Sequence, residues 1–193
     1  MFTTVIDEDI SLALVQPSFA HDYFDIVSRD REYLAKWLAW PPHADGVAFF
    51  EGFVRRSLHD YADGKSLTCA MLYQGEVVGN ISFNTISHDL KKVEIGYWIC
   101  QNQQGKGIVS RCVMALVRIA FETLGMEKVE ISAATENKAS RAICERLGFT
   151  LEGVIRQAEK LDDRIVDHAV YGLYRARVKC PIQRTNRQNH SLF

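Results

Sequence analysis

The stretch IGYWICQNQQGKGIVSRC restricts how this chain can fold more than any other, because it passes from a strand pattern into a helix pattern through glycine. Residues 92–100 alternate, with Glu94, Gly96, Trp98 and Cys100 on one face and Val93, Ile95, Tyr97 and Ile99 on the other. From Ile108 the period changes. Val109, Cys112, Val113, Leu116, Val117, Ala120 and Phe121 recur at three- and four-residue steps, which predicts a core-facing helix over 108–124 closed by Gly125. A strand at 129–134 follows, so strand, helix and strand form a local βαβ unit.

The flanking segments complete one domain. Residues 12–16 read as a short strand, and Ser18 offers a cap oxygen to a helix through 19–27 whose helical character continues to Trp40. Pro41 and Pro42 end it, since proline cannot continue the helical hydrogen bonding. An amphipathic helix is expected over 46–61, then strands at 67–73 and 77–86 joined by the hairpin Gln74-Gly75-Glu76. Residues 139–147 read as a helix closed by Gly148, and 149–158 and 166–174 as strands turned by Asp162 and Asp163. The expected fold is α+β: a mixed, mainly antiparallel central sheet with flanking helices and one βαβ unit, in a single domain over 1–178 with a polar tail at 179–193.

Composition narrows the function. At 193 residues the chain is long enough to bury a core without disulfides. Five cysteines, odd in number and without CxxC spacing, fit neither a disulfide framework nor a zinc site and suit a reducing, cytoplasmic setting. The first ten residues lack a signal-peptide pattern, and no apolar run is long enough to span a membrane. With 23 basic against 24 acidic residues, a net charge of -1 gives no global field for nucleic acid or an acidic membrane, so any anion site must be local. The six histidines are scattered and read as surface or packing residues; no metal is expected.

The loop itself is such a local site. A helix start leaves its first amides unsatisfied and carries partial positive charge, and Gly105 and Gly107 let an anion approach the main chain, with Lys106 adding charge. A lone G-x-G is more often a turn using glycine for geometry alone. There is no GxxxxGK[ST], and the third glycine of a dinucleotide fingerprint is missing. The two-glycine loop resembles the pyrophosphate motif Q/R-x-x-G-x-G/A of GNAT acetyltransferases, with Asn102 at the first position. A second similar segment, ENKASRAICERLGF, lies at the expected distance. KWLAWP, EIGYWI and FTLEGVIRQAEKLDDRIVDHAVY extend the resemblance over about residues 10–174, to the subfamily that includes ribosomal-protein N-terminal acetyltransferases.

That resemblance implies acetyl-CoA as cosubstrate. It implies coenzyme contacts from Ile99, Gln101, Gln104, Gly105, Lys106, Gly107, Ile108 and Val109, and from Asn137, Ser140 and Arg141 in the second segment. It implies an amine acceptor, a protein or peptide N-terminus or a small molecule, and allows a homodimer. A non-catalytic acetyl-CoA sensor is the alternative from another class. Many relatives carry a tyrosine acid where this chain has Cys144, a position that reads as a buried structural cysteine.

Transfer to an amine needs a proton acceptor near the amine and a proton donor for the leaving thiolate. Glu94 and Glu159 are the candidate bases, Glu159 being preferred because the subfamily resemblance sets it facing the acetyl group. Each would otherwise be a solvated strand or turn residue. Ser140 matches a subfamily position near the sulfur and is the candidate donor. Trp37, Trp40 and Trp98, with Tyr97, are candidates to line the acceptor groove, although such aromatics more often belong to a core.

Overall fold

A computed structural model describes residues 2–175 of the chain. The expected tail at 179–193, Cys180 and the end of the domain at 178 lie outside those residues. The elements run β1 (Thr3–Val5), β2 (Ile10–Leu14), α1 (Phe19–Ala35), α2 (Val47–Ala62), β3 (Leu67–Tyr73), β4 (Glu76–Ser87), β5 (Lys92–Ile99), α3 (Ile108–Arg118), β6 (Lys128–Ala134), α4 (Lys138–Arg146), β7 (Thr150–Leu161) and β8 (Arg164–Tyr174). The strands form one sheet in the order β1-β2-β3-β4-β5-β6-β8-β7. Every neighbouring pair is antiparallel except β5 and β6, the two strands of the βαβ unit.

The sheet is covered on both faces. Val93, Ile95, Ile99, Ile131 and Tyr171 pack with Cys112, Val113 and Leu116 of α3 and with Cys144 of α4. On the other face Ala13, Ala70 and Leu72 meet Tyr23 of α1 and Phe50 of α2, with Trp98 against the same cluster. The alternation in β5 therefore assigns Tyr97 to the α3–α4 side and Trp98 to the α1–α2 side. At the β3–β4 hairpin, Gln74 (φ 53) and Gly75 (φ 88) both lie in the left-handed region, as a tight primed turn requires.

Three local expectations are corrected. Ser18 takes helical angles and makes no side-chain cap; its Oγ accepts from Gln16 Nε2 at 2.8 Å, while the Phe19 and Ala20 amides donate to the carbonyls of Gln16 and Pro17. Helix α1 stops at Ala35, not Trp40, and departs from helical angles at Asp30 (φ -105, ψ 16), whose carboxylate is drawn to the turn after β5. The helix expected over 108–124 is α-helical only to Arg118. A π-type turn, Ile119–Thr123, replaces its end and keeps Ala120 and Phe121 buried before Gly125 (φ 66) reverses the chain. Strand β1 was not foreseen: its three residues TTV are all exposed, so they carry no alternation.

Candidate active site

The parallel pair β5–β6 is short. It holds only over Lys92↔Lys128, Val93↔Val129 and Glu94↔Glu130, after which the strands part. At the same level β4 carries one extra residue, Asn84, between the pairs Phe83↔Ile95 and Thr85↔Glu94. A bulge bends its strand and increases the local twist, and this one stands level with the point where β5 leaves β6. The split opens into a cleft of about 740 Å³. It is lined from β5 (Glu94–Ile99), β6 (Ile131–Ala134), the α4 start, the α1 end and the β7–β8 hairpin, and so connects the two sides of the sheet.

One wall is the loop before α3. Gln101–Gln103 form a 3-10 turn, Gly105 (φ 74) and Gly107 (φ 71) take left-handed angles, and Gly107 is the N-cap of α3. Among the described residues, the amides of Gly105 through Val109 donate to no backbone carbonyl. A ring of free amides at the start of an 11-residue helix is the arrangement that holds a phosphate group. Nothing lies within 4 Å of a Cβ built on Gly105 or Gly107, so the main chain there is open to a ligand. The residues present therefore fit a coenzyme A diphosphate. Gln104 Nε2 donates to Tyr33 Oη, and Lys106 Nζ donates to Gln103 Oε1 at 2.6 Å and sits 5.2 Å from the Tyr73 ring centre.

The residues singled out by sequence fall into three groups. Trp37, Glu94, Tyr97, Trp98, Ile99, Gln104, Val109, Asn137, Ser140 and Glu159 all line the cleft. Gly105, Lys106, Gly107 and Ile108 belong to the adjoining loop. Three others are engaged elsewhere. The Gln101 amide donates to Asp30 Oδ2 at 2.8 Å. Arg141 donates to Tyr171 Oη (2.9 Å) and the Thr135 carbonyl (2.8 Å). Trp40 is stacked on Phe49 and packs at 5.8 Å against Trp98, behind the cleft wall.

On the α4 side, Asn137 caps the helix by accepting from the Ser140 amide at 3.1 Å. This fixes the first turn so that Ser140 Oγ lies 2.9 Å from Tyr97 Oη, a direct hydroxyl–phenol hydrogen bond at the cleft wall. Burial pushes the Tyr97 phenol well above its ordinary pKa, so it stays protonated and able to donate. Cys144, one turn further along α4, is fully buried, and burial pushes its thiol up to about 12.

The α1–α2 side is acidic. Burial, with Glu130 beside it, pushes the Glu94 carboxyl above its ordinary value, against opposing pulls from Lys92 and His168. Burial acts on Glu130 in the same sense, but hydrogen bonds from Lys128 (2.8 Å) and Lys92 (3.3 Å) hold it below the ordinary value. Glu159 Oε2 lies 3.1 Å from His168 Nε2. His168 corrects the reading of the histidines as surface or packing residues: it lines the cleft and is bound to a candidate base. Asn84 was also missed. Its amide lies across β5, where a Cβ on Gly96 would meet Asn84 Nδ2 at 2.4 Å.

A cleft through a split parallel pair, walled by a phosphate-type loop on one side and carboxylates on the other, fits the class of enzymes that transfer an acyl group from coenzyme A. The model of the acetyltransferase (GNAT) domain family matches residues 11–150, and the chain belongs to that family of acetyl-CoA-dependent N-acetyltransferases. YdaF of Bacillus subtilis (strain 168), named provisionally as a ribosomal N-acetyltransferase, is 34% identical over 176 residues, covering 90% of this chain and 95% of that protein. The structure of the ribosomal L7/L12 alpha-N-protein acetyltransferase RimL in complex with coenzyme A is similar at a TM-score of 0.86 and 26% identity, over 90% of this chain and 98% of that one. The microcin C7 self immunity acetyltransferase MccE, in complex with acetyl-CoA and AMP, is similar at a TM-score of 0.84 and 30% identity, over 88% and 94%.

Proposed function

We propose that this enzyme acetylates the terminal amine of a protein or peptide, by direct attack of the amine on acetyl-CoA without a covalent enzyme intermediate. One observation carries the reading: the cleft crosses the sheet, with carboxylates at its α1–α2 end and the Tyr97–Ser140 hydroxyl pair at its α4 end. Acetyl-CoA, when bound, supplies an activated acyl group as its thioester. Glu159 takes the proton that the attacking amine must lose, and Glu94 adds to the negative potential that draws a cationic amine in. Ser140, hydrogen-bonded to Tyr97, provides the proton or hydrogen bond that the departing thiolate needs. The amides of Gly105 to Val109 hold the diphosphate, and Trp37 and Trp98 flank the entry for the acceptor. Likeness to YdaF and RimL supports a ribosomal-protein N-terminus as the acceptor.

Likeness to the spermidine N(1)-acetyltransferase of Escherichia coli (strain K12), 26% identical over 110 residues, makes a small-molecule amine the second reading. The test is mass spectrometry after incubation with acetyl-CoA and two acceptor sets: peptides with free serine or alanine N-termini, and polyamines. A single acetyl group on the peptide α-amine is the expected product. Turnover confined to the small amines would replace the peptide reading, and acetyl-CoA binding without turnover of any set would point to a sensor.

A further inference from the structure

The Glu159 carboxylate reaches the cleft through an irregularity in β7. Ile155 pairs with His168, so an unbroken ladder would set Glu159 opposite Arg164; it stands opposite Val166 instead. The slack is taken up at Arg156, Gln157 and Ala158. Gln157 adopts φ 52, and its amide donates to Asp167 Oδ1 at 2.8 Å. The displacement brings Glu159 two positions closer to His168 along the hairpin. Because it is an even step, Glu159 keeps the face shared by Val166 and His168, and diagonal neighbours on one face of an antiparallel pair are within side-chain reach. The result is the 3.1 Å contact between Glu159 Oε2 and His168 Nε2. A carboxylate oxygen accepts, so the contact is a hydrogen bond in the form of the imidazole that carries a proton on Nε2.

The histidine side chain is 20% exposed against 37% for the carboxylate, so the imidazole forms the inner, more constrained member of the pair. His168 pairs across the ladder with Ala134 of β6, whose small side chain leaves room for the ring beside the cleft. Asp167 and His168 are adjacent on β8 and divide the work: one pins the backbone bulge, the other the carboxylate that the bulge delivers.

Resting on the reading of Glu159 as the base, we propose that His168 is its positioning residue. By donating Nε2–H to Oε2, it fixes the carboxylate in one orientation and leaves Oε1 to face the amine. A base held in place needs no reorganisation when the amine arrives, and misplacement by about 1 Å can cost on the order of 10²-fold in rate.

The test uses the full chain and whichever of a serine-initiated peptide or spermidine the wild-type enzyme acetylates; turnover of neither removes the proposed function itself. His168→Leu keeps most of the bulk and removes the donor, His168→Gln restores a terminal N–H, and His168→Ala serves if the leucine variant does not fold. His168→Leu is expected to lower kcat by about 10–10²-fold with the KM for acetyl-CoA unchanged, and His168→Gln to recover most of the loss. Glu159→Gln is expected to lose about 10²–10⁴-fold, and the double variant Glu159→Gln/His168→Leu no more than Glu159→Gln alone, because a positioning residue has nothing to act on once its partner is gone. Full activity in Glu159→Gln would remove the base assignment. A collapsed Glu159→Gln beside a His168→Leu within threefold of wild type, or losses that multiply in the double variant, would overturn the positioning role alone.

Discussion

Replacing Tyr97 by phenylalanine, alone and with Ser140→Ala, tests whether the α4 end of the cleft works as one proton-donating unit. The phenol is held by a single side-chain partner, Ser140 Oγ at 2.9 Å, with the Ser140 carbonyl at a marginal 3.5 Å. Tyr97→Phe keeps the ring and its packing, so the stability cost is that of one neutral hydrogen bond, about 1 kcal/mol. In a domain of this size that lowers Tm by roughly 2–4 °C. The catalytic cost is far larger if the pair faces the departing sulfur: removing one preorganised donor from a developing anion costs about 10²–10³-fold in kcat. Because Ser140 and Tyr97 donate through the same bond, the double variant should fall little below the worse single one. The pH profile has a definite sign. Burial raises the Tyr97 pKa, so the neutral phenol persists, and no alkaline loss of kcat from its ionisation should appear below about pH 10, the ordinary tyrosine value. Thiol release followed with a chromogenic disulfide gives kcat, and calorimetry gives the acetyl-CoA affinity, which should stay unchanged. Either single variant within threefold of wild type, or losses that multiply, would refute the idea of a shared donor.

Gly107 sits at φ 71 with open space where a Cβ would stand, so Gly107→Ala should lose only the backbone preference, about 1–2 kcal/mol, measured by denaturant unfolding. Gly107→Glu should in addition abolish acetyl-CoA binding in calorimetry, because it sets a carboxylate among the amides that would receive a diphosphate. Trp40→Ala should destabilise the fold by about 3–5 kcal/mol, since the indole packs on Phe49, Phe50 and Trp98, whereas Trp40→Phe should fold and keep the acceptor KM. Trp37→Ala, by contrast, should raise that KM. The fold raises the Glu94 pKa, so the unfolded chain releases this proton first as pH rises, and native stability falls across that interval. Glu94→Gln should therefore raise Tm relative to wild type at pH 8 by more than at pH 4, as read by calorimetric melting.

What was legible in the sequence was periodic or local. The change of period at Ile108 located α3, the alternation of β5 divided its side chains correctly between the two layers, and Gln74-Gly75 announced its hairpin. The elements that misled were decided by hydrogen bonds and register that periodicity does not encode. Ser18 could have capped α1, but neighbouring backbone carbonyls at Gln16 and Pro17 already satisfied the first amides. Asp30 leaves helical geometry where its carboxylate bonds the Gln101 amide, 71 residues away. His168 looked isolated because only the two-residue slip in β7 brings Glu159 to it, and a slip in strand register leaves no trace in composition or alternation. The fragment VDHAVY stood within a recognised segment, yet nothing in its spacing distinguished a cleft histidine from a packed one.

Strand geometry sets the candidate proton groups at opposite ends of the cleft. In a sheet, a strand sends successive side chains to opposite faces, so Glu94 and Tyr97, three residues apart on β5, must project to different layers. Were β5 and β6 hydrogen-bonded along their whole length, the sheet would separate a base on one side from a hydroxyl donor on the other. Ending the pairing at Glu94↔Glu130 removes that barrier just where the two sets of groups need common ground. Amide formation moves one proton from nitrogen to sulfur, so a catalyst gains by setting an acceptor at the nitrogen and a donor at the sulfur without letting the two neutralise each other. In the proposed mechanism, keeping carboxylates on the α1–α2 side and the Ser140–Tyr97 pair on the α4 side would achieve that separation. On the proposed mechanism, the split between two parallel strands is thus the feature on which both the binding and the chemistry of the cleft depend.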